Sequence, residues 1–186
     1  MDFSSSLRAG ALLVASPELQ DAHFKRSVVL LAQYSEEGAM GYVLNRPLEA
    51  TLSEIAPEFV GFDAPLYWGG PCQNDTLHCV HTARACVENS ETITDGVFWG
   101  GVFEAIQQTI ISGAAQMEDF RFFVGYAGWG ERQLEKELEE GSWFVSEHAS
   151  KTIFTASPKN MWMRACQSLG GQYRFLALTP EHPSLN

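Results

Sequence analysis

The apolar run Phe120–Val124 and the stretch that follows it, Gly125–Trp143 (GYAGWGERQLEKELEEGSW), constrain this chain more than any other part of it. Phe120–Val124 is rich in aromatics and bounded by glycine, the signature of a buried strand. Gly125, Gly128 and Gly130 interrupt regular structure and open backbone angles closed to other residues, which predicts a glycine turn. Glu131–Glu140 predicts a helix, with Leu134 and Leu138 one turn apart on its inner face. Gly141 supplies a left-handed stop, and Ser142–Ser146 predicts a further strand. This succession locates a candidate site without naming a reaction.

The rest of the chain is mostly short apolar runs closed by turn residues. Ala11–Ala15, Ser27–Tyr34 and Ala39–Leu44 predict strands, the last two joined by a hairpin at Glu36-Glu37-Gly38. Asn45-Arg46-Pro47 ends the second strand of that hairpin, because proline cannot donate to a ladder. Thr51-Leu52-Ser53-Glu54 has the spacing of a capping box, with Leu52, Ile55, Ala56 and Phe59 on one face, and Pro57 keeps that helix short. Leu66–Trp68 and Thr76–Thr82 predict strands around the Gly69-Gly70-Pro71 turn, and residues 83–96 read as loop and edge. Gly101–Ser112 predicts a helix buried through Phe103, Ile106, Ile110 and Ile111. Thr152–Thr155 predicts a short strand. Ser157-Pro158 then opens a last helix that buries Met161, Trp162, Ala165, Cys166 and Leu169. Strands outnumber helices and no regular βαβ alternation appears, which favours an α+β fold.

At 186 residues the simplest organisation is a single domain over 1–186, with residues 1–6 and 179–186 expected as tails. A formal charge of −11 argues against tight, direct nucleic-acid binding, which needs lysines and arginines to displace counterions. It argues equally against an anionic membrane surface, and no apolar run has the length of a membrane span. The first ten residues lack a basic segment followed by an apolar core, so no signal peptide is expected. Four cysteines without a Cys-x-x-Cys pair are then expected as reduced thiols in the cytoplasm.

Several groups carry candidate chemistry. The Gly-x-x-Gly-x-Gly order at 125–130 differs from dinucleotide and P-loop signatures, and the acidic helix after it would repel phosphate. His78 and His81 lie on opposite faces of a strand and cannot chelate together, so no metal or cofactor is expected. Cys72 follows Gly-Gly-Pro with His78 six residues on, which keeps open a nucleophile and base. Trp68, Trp99, Trp129, Trp143 and Trp162 are expected mainly in the core. Arg46, between an apolar strand and a proline, suits either an ion pair with an acid such as Glu135 or an anionic ligand.

The ordered blocks of this sequence resemble the AlgH (YqgE) family of bacterial proteins. They are Leu12–Pro17 with Asp21 and Phe24, Arg26–Leu31, Gly38–Leu48, Gly69-Gly70-Pro71, Leu77-His78, and Gly125–Trp129 with Gln133-Leu134-Glu135. Glu131-Arg132 stands where that family carries Pro-Gly, and Cys72 where a small aliphatic residue is common. The resemblance implies an α+β fold with a bifurcated, partly barrel-like mixed sheet surrounded by helices. It implies no established activity; the family's transcriptional-regulator label rests on genetic association. The expectation is therefore a non-enzymatic binding or regulatory protein, its partner an unknown small molecule or protein. The candidate binding residues are Asn45, Arg46, Gly69, Gly70, Pro71, Gly125, Gly128, Trp129, Gln133 and Glu135. The alternative is a hydrolase-like enzyme using Cys72 or His78.

Overall fold

The computed structural model describes residues 6–59, 61–83, 87–146, 153–154 and 157–171. Ten strands form one sheet: β1 (Leu12–Ala15), β2 (Val28–Ser35), β3 (Gly38–Val43), β4 (Pro47–Thr51), β5 (Pro65–Trp68), β6 (Cys72–His81), β7 (Ser90–Thr94), β8 (Val97–Gly100), β9 (Phe120–Trp129) and β10 (Trp143–Ser146). The α-helices whose full span lies among the described residues are α1 (Leu52–Ile55), α2 (Phe103–Ile111), α3 (Gln133–Glu139) and α4 (Pro158–Leu169). The main path runs β10-β1-β2-β3-β9-β6-β8-β7, with β4 and β5 as a branch. All pairings are antiparallel except β5 with β9, so the sheet is mixed, and it does not close into a barrel.

The fork lies on β9. One of its edges pairs with β6 over Phe120–Tyr126, with an irregularity between Cys72 and Leu77. The other is divided, with β5 beside Phe122–Val124 and β3 beside Ala127–Trp129. Gly69 sits where the branches part, donating its N–H to Val124 O at 2.8 Å and accepting from Val43 N at 2.9 Å. A Cβ on Gly69 would lie 2.1 Å from Gly125 O, so only glycine fits there.

Alternation along the strands sends apolar side chains to two faces. Leu12, Val14, Val28, Leu30, Tyr42 and Phe123 pack on one face with Met161, Trp162, Ala165 and Cys166 of α4. Leu13, Ala15, Val29, Leu31 and Val43 pack on the other with Leu134 and Leu138 of α3, and Phe120 and Phe122 there meet Leu52 and Ile106. Burying a side chain of this size stabilises the fold by about 1.5–3 kcal/mol.

β9 changes phase midway. Phe120 and Phe122 share a face, and strict alternation would add Tyr126 to it. Instead Tyr126 packs with the α4 face, and Ala127 and Trp129 with α3. Gly125, at φ +69°, is the extra residue that makes the switch, a bulge position only glycine adopts without strain.

Several sequence expectations need correction. The predicted glycine turn at 125–130 is strand as far as Trp129. β3 ends at Val43, ahead of Asn45-Arg46-Pro47 as expected, and Pro47 itself begins a further strand, β4, whose partner is β5. Residues 83–96, expected as loop and edge, hold β7, an edge strand that forms a hairpin with β8. Ile55 and Ile111 are exposed rather than core, at 46% and 62%. Ile153 and Phe154 are helical, not strand, while Thr152 and Thr155 fall outside the described residues. The tails expected over 1–6 and 179–186 also fall outside them, apart from Ser6. The capping box holds: Thr51 N donates to Glu54 Oε2 at 2.7 Å, and Pro57 ends α1 after one turn.

One buried group makes this fold sensitive to pH. His81 is fully buried between Phe98 and Phe120. Ser90 Oγ donates to Val87 O, so His81 Nε2 donates to Ser90 Oγ at 3.0 Å, and Nδ1 has no partner among the described residues. Burial pushes the imidazole down from 6.5 to about 4. Between those values the unfolded chain binds a proton that the native one does not, so stability falls as pH drops through this window. The urea midpoint should therefore fall more for wild type than for His81→Phe between about pH 7 and about pH 5. Equal losses would remove His81 as the cause.

Candidate functional site

The residues singled out from the sequence separate into two groups with different work. Gly69, Gly70 and Gly125 meet as backbone against backbone. A Cβ on Gly70 would lie 2.1 Å from Tyr126 C and 2.2 Å from Ala127 N, and one on Gly125 would lie 2.7 Å from Gly70 O. These glycines build the fork, and Pro71 leads from it, exposed, into β6. Asn45 is held beside it. Its Oδ1 accepts from Val28 N at 2.9 Å and its Nδ2 donates to Arg26 O at 2.9 Å, which fixes Arg26 in a left-handed conformation.

Arg46 and Glu135 are not partners. Arg46 donates through an Nη to Lys25 O at 2.6 Å, whereas Glu135 accepts from Tyr34 Oη at 2.7 Å. That bond to the carboxylate, more than burial, pushes the Tyr34 phenol up to about 12. The ion pair considered from the sequence is therefore absent, and the two residues belong to different corners of the molecule.

Gly128 and Trp129 lie at the outer end of β9, beside the β2–β3 hairpin. A cleft of about 840 Å³ opens there, walled by Tyr34, Met40, Cys72, Tyr126, Gly128 and Trp129. Alternation and the bulge at Gly125 turn Tyr126 and Gly128 to the same side, and pairing of Tyr126 with Cys72 brings the thiol alongside. Gln133 braces this end, accepting from Gly130 N at 3.0 Å and donating to Glu137 Oε1 at 2.9 Å. Glu137 Oε2 also accepts from both indoles, Trp129 Nε1 at 2.9 Å and Trp143 Nε1 at 2.8 Å.

Tyr34, Met40, Tyr126 and Glu137 were not singled out from the sequence. Period-two alternation marks Tyr126 and Met40 only once the bulge and the register are known. Glu137 looks like one more carboxylate of a solvated helix face, and only the two tryptophans beneath it give it a task.

The catalytic alternative finds no support in this geometry. Thr76 Oγ1 donates to Gln73 O, so His78 Nε2 donates to Thr76 Oγ1 at 2.9 Å, and His78 Nδ1 accepts from Tyr42 Oη at 3.2 Å. Both ring nitrogens are engaged by hydroxyls, and burial lowers the proton affinity of the ring. A base committed in this way does not serve Cys72. Among the described residues no group of three or more His, Cys, Asp or Glu side chains is placed to hold a metal ion. No described helix is long and apolar enough to cross a membrane.

A forked α+β sheet with a cleft at its outer end defines the class to which this chain is similar. A sequence model of the AlgH-like family matches residues 12–174, and the chain belongs to that family. A UPF0301 protein of Chlorobium limicola is 43% identical over 180 residues, covering 97% of this chain and 96% of that one. A UPF0301 protein of Cytophaga hutchinsonii is 39% identical over 181 residues, covering 97% and 100%. The solution structure of the AlgH protein from Pseudomonas aeruginosa superposes with a TM-score of 0.73 at 26% identity, covering 94% of this chain and 95% of that one. A crystal structure of a Corynebacterium diphtheriae protein gives 0.77 at 25% identity, covering 94% and 96%.

Proposed function

We propose that this chain is a non-enzymatic binding or regulatory protein of the cytosol that receives a small molecule or a partner's side chain in the cleft beside the β2–β3 hairpin. The observation that carries this reading is the cleft's wall. Tyr34, Met40, Tyr126 and Trp129 supply aromatic and apolar surface, and Gln33, Ser35, Glu37 and Thr92 add polar groups that can orient a ligand. The histidine nearest in sequence to its thiol is fully engaged elsewhere. Direct regulation through DNA is disfavoured by the charge of −11.

Gly128 provides the test. It has no left-handed backbone, and a Cβ there would meet Tyr126 at 3.3 Å and the Cys72 Sγ at 3.5 Å, pointing into the cleft. Gly128→Leu should fill the site while shifting the melting temperature by no more than about 5 °C. An aromatic-fragment screen followed by amide NMR should give shifts clustered at Met40, Cys72 and Tyr126 that disappear in Gly128→Leu. Shifts elsewhere, or shifts unchanged in the variant, would refute the reading. So would turnover of ester or amide substrates that is lost in Cys72→Ala.

A further inference from the structure

A second cleft lies on the opposite side of the fork, and its charge is at odds with the rest of the protein. It encloses about 450 Å³ between the Ala22–Arg26 segment, the Asn45-Arg46 corner and the first turn of α4. Lys25, Arg26, Arg46 and Lys159 line it, four of the chain's 12 basic residues, and no acidic residue is among the described lining. In a chain of net charge −11, such a concentration is not a sampling of the average surface. The nearby Asp21 carboxylate is turned into its own loop, accepting from His23 N and Phe24 N.

The two arginines are held in place rather than loose. Arg26 lies 4.7 Å over the Trp162 ring, and its left-handed backbone is fixed by Asn45. Arg46 is anchored to Lys25 O through one Nη, which leaves a planar fork whose other donors suit oxyanions. The positive end of the 12-residue helix α4 adds to the same field.

We propose that this cleft binds a soluble phosphoryl-bearing small molecule, with Arg46, Arg26, Lys25 and Lys159 neutralising its charge. Its volume suits a compact ligand, since pockets for small molecules run from about 300 Å³ upward. The proposal does not rest on the hairpin-side cleft and stands or falls separately from it.

Inorganic pyrophosphate is the probe, titrated into the full chain by calorimetry and amide NMR. Saturable one-to-one binding, millimolar or tighter, is expected, with shifts at Lys25, Arg46 and Asn160. Lys159→Gln, at an exposed position, should fold normally and weaken binding by about tenfold, the equivalent of about 1.4 kcal/mol. Arg46→Gln should weaken it further, and Lys136→Gln, on α3, should leave it unchanged. Absence of saturation at about 10 mM pyrophosphate, or equal affinity in Lys159→Gln, overturns the proposal. Phosphatidic-acid vesicles present the same group on a lipid. Sedimentation with those vesicles but no binding of free pyrophosphate overturns the soluble ligand in favour of a headgroup.

Discussion

Gly70→Ala should not yield a folded protein. The added methyl would lie 2.1 Å from the carbonyl carbon of Tyr126 and 2.2 Å from the amide nitrogen of Ala127, and both obstacles are backbone atoms of the central strand. No rotamer change relieves a clash with backbone, so β9 and the Gly69-Gly70 segment would have to move apart. That displacement breaks the bond from Gly69 N to Val124 O and opens the fork. The expected loss exceeds about 4 kcal/mol, a size reserved for a few structural causes. Gly113→Ala is the control: it shares a left-handed φ of +72° but has nothing within 4 Å of the added atom. It should cost only about 1 kcal/mol, the conformational part alone. Far-UV circular dichroism and soluble yield separate the two, and a well-folded Gly70→Ala would mean that the close approach at the fork is wrong.

Glu137→Ala should produce the next largest loss. One oxygen of this carboxylate accepts from two indoles, and the rings that donate are themselves buried, Trp129 at 6% and Trp143 at 2% exposure. Truncation strands two N–H groups away from water at about 1–3 kcal/mol each. It also frees Gln133, whose other end holds Gly130 N. At roughly 2–4 °C per kcal/mol for a protein of this size, the melting temperature should fall by on the order of 10 °C. Glu137→Gln keeps an acceptor oxygen and should recover most of that loss. Trp129 and Trp143 pack edge to face, with Phe24 against both, so tryptophan fluorescence should report the same event. Equal destabilisation by Ala and Gln would show that the indole bonds carry little of it.

These residues also show what the sequence could reveal. Short apolar runs closed by turn residues marked β1, β2 and β3, and the Leu134/Leu138 and Met161/Trp162/Ala165/Cys166 faces marked α3 and α4, because burial and local pattern agree in those segments. Gly125–Trp129 broke that agreement. Glycine weakens a strand in isolation, so a local reading ends the strand there, whereas this strand keeps its glycines because another backbone crosses it. The partner segment, Gly69-Gly70, is more than fifty residues away in sequence, and no local window contains it. Of the two readings open for Arg46, the ion pair with Glu135 fails for a similar reason. Charge alone suggests a partner, but only the fold shows that Arg46 faces Lys25 and α4 while Glu135 faces Tyr34. Arg132 tells a further story. It adopts φ +55° ahead of α3, at the position where the family resemblance expects glycine, so the conformation persists under a less suited residue.

The switch at Gly125 has a bearing on how this strand tolerates changes of length. A ladder is a counter, and Gly125 is the one residue in β9 that advances the chain without advancing the count. Remove it, and Phe120–Trp129 regains an unbroken two-step rhythm, but every side chain after the deletion changes sides. Trp129 would then point toward α4 and leave the Glu137 carboxylate, while Tyr126 would quit the cleft it walls. Substitution along β9 away from Gly125 is a local matter of volume and polarity. A gain or loss of one residue would instead exchange the two packed faces for the rest of the strand, so length should be held more strictly than composition through this strand.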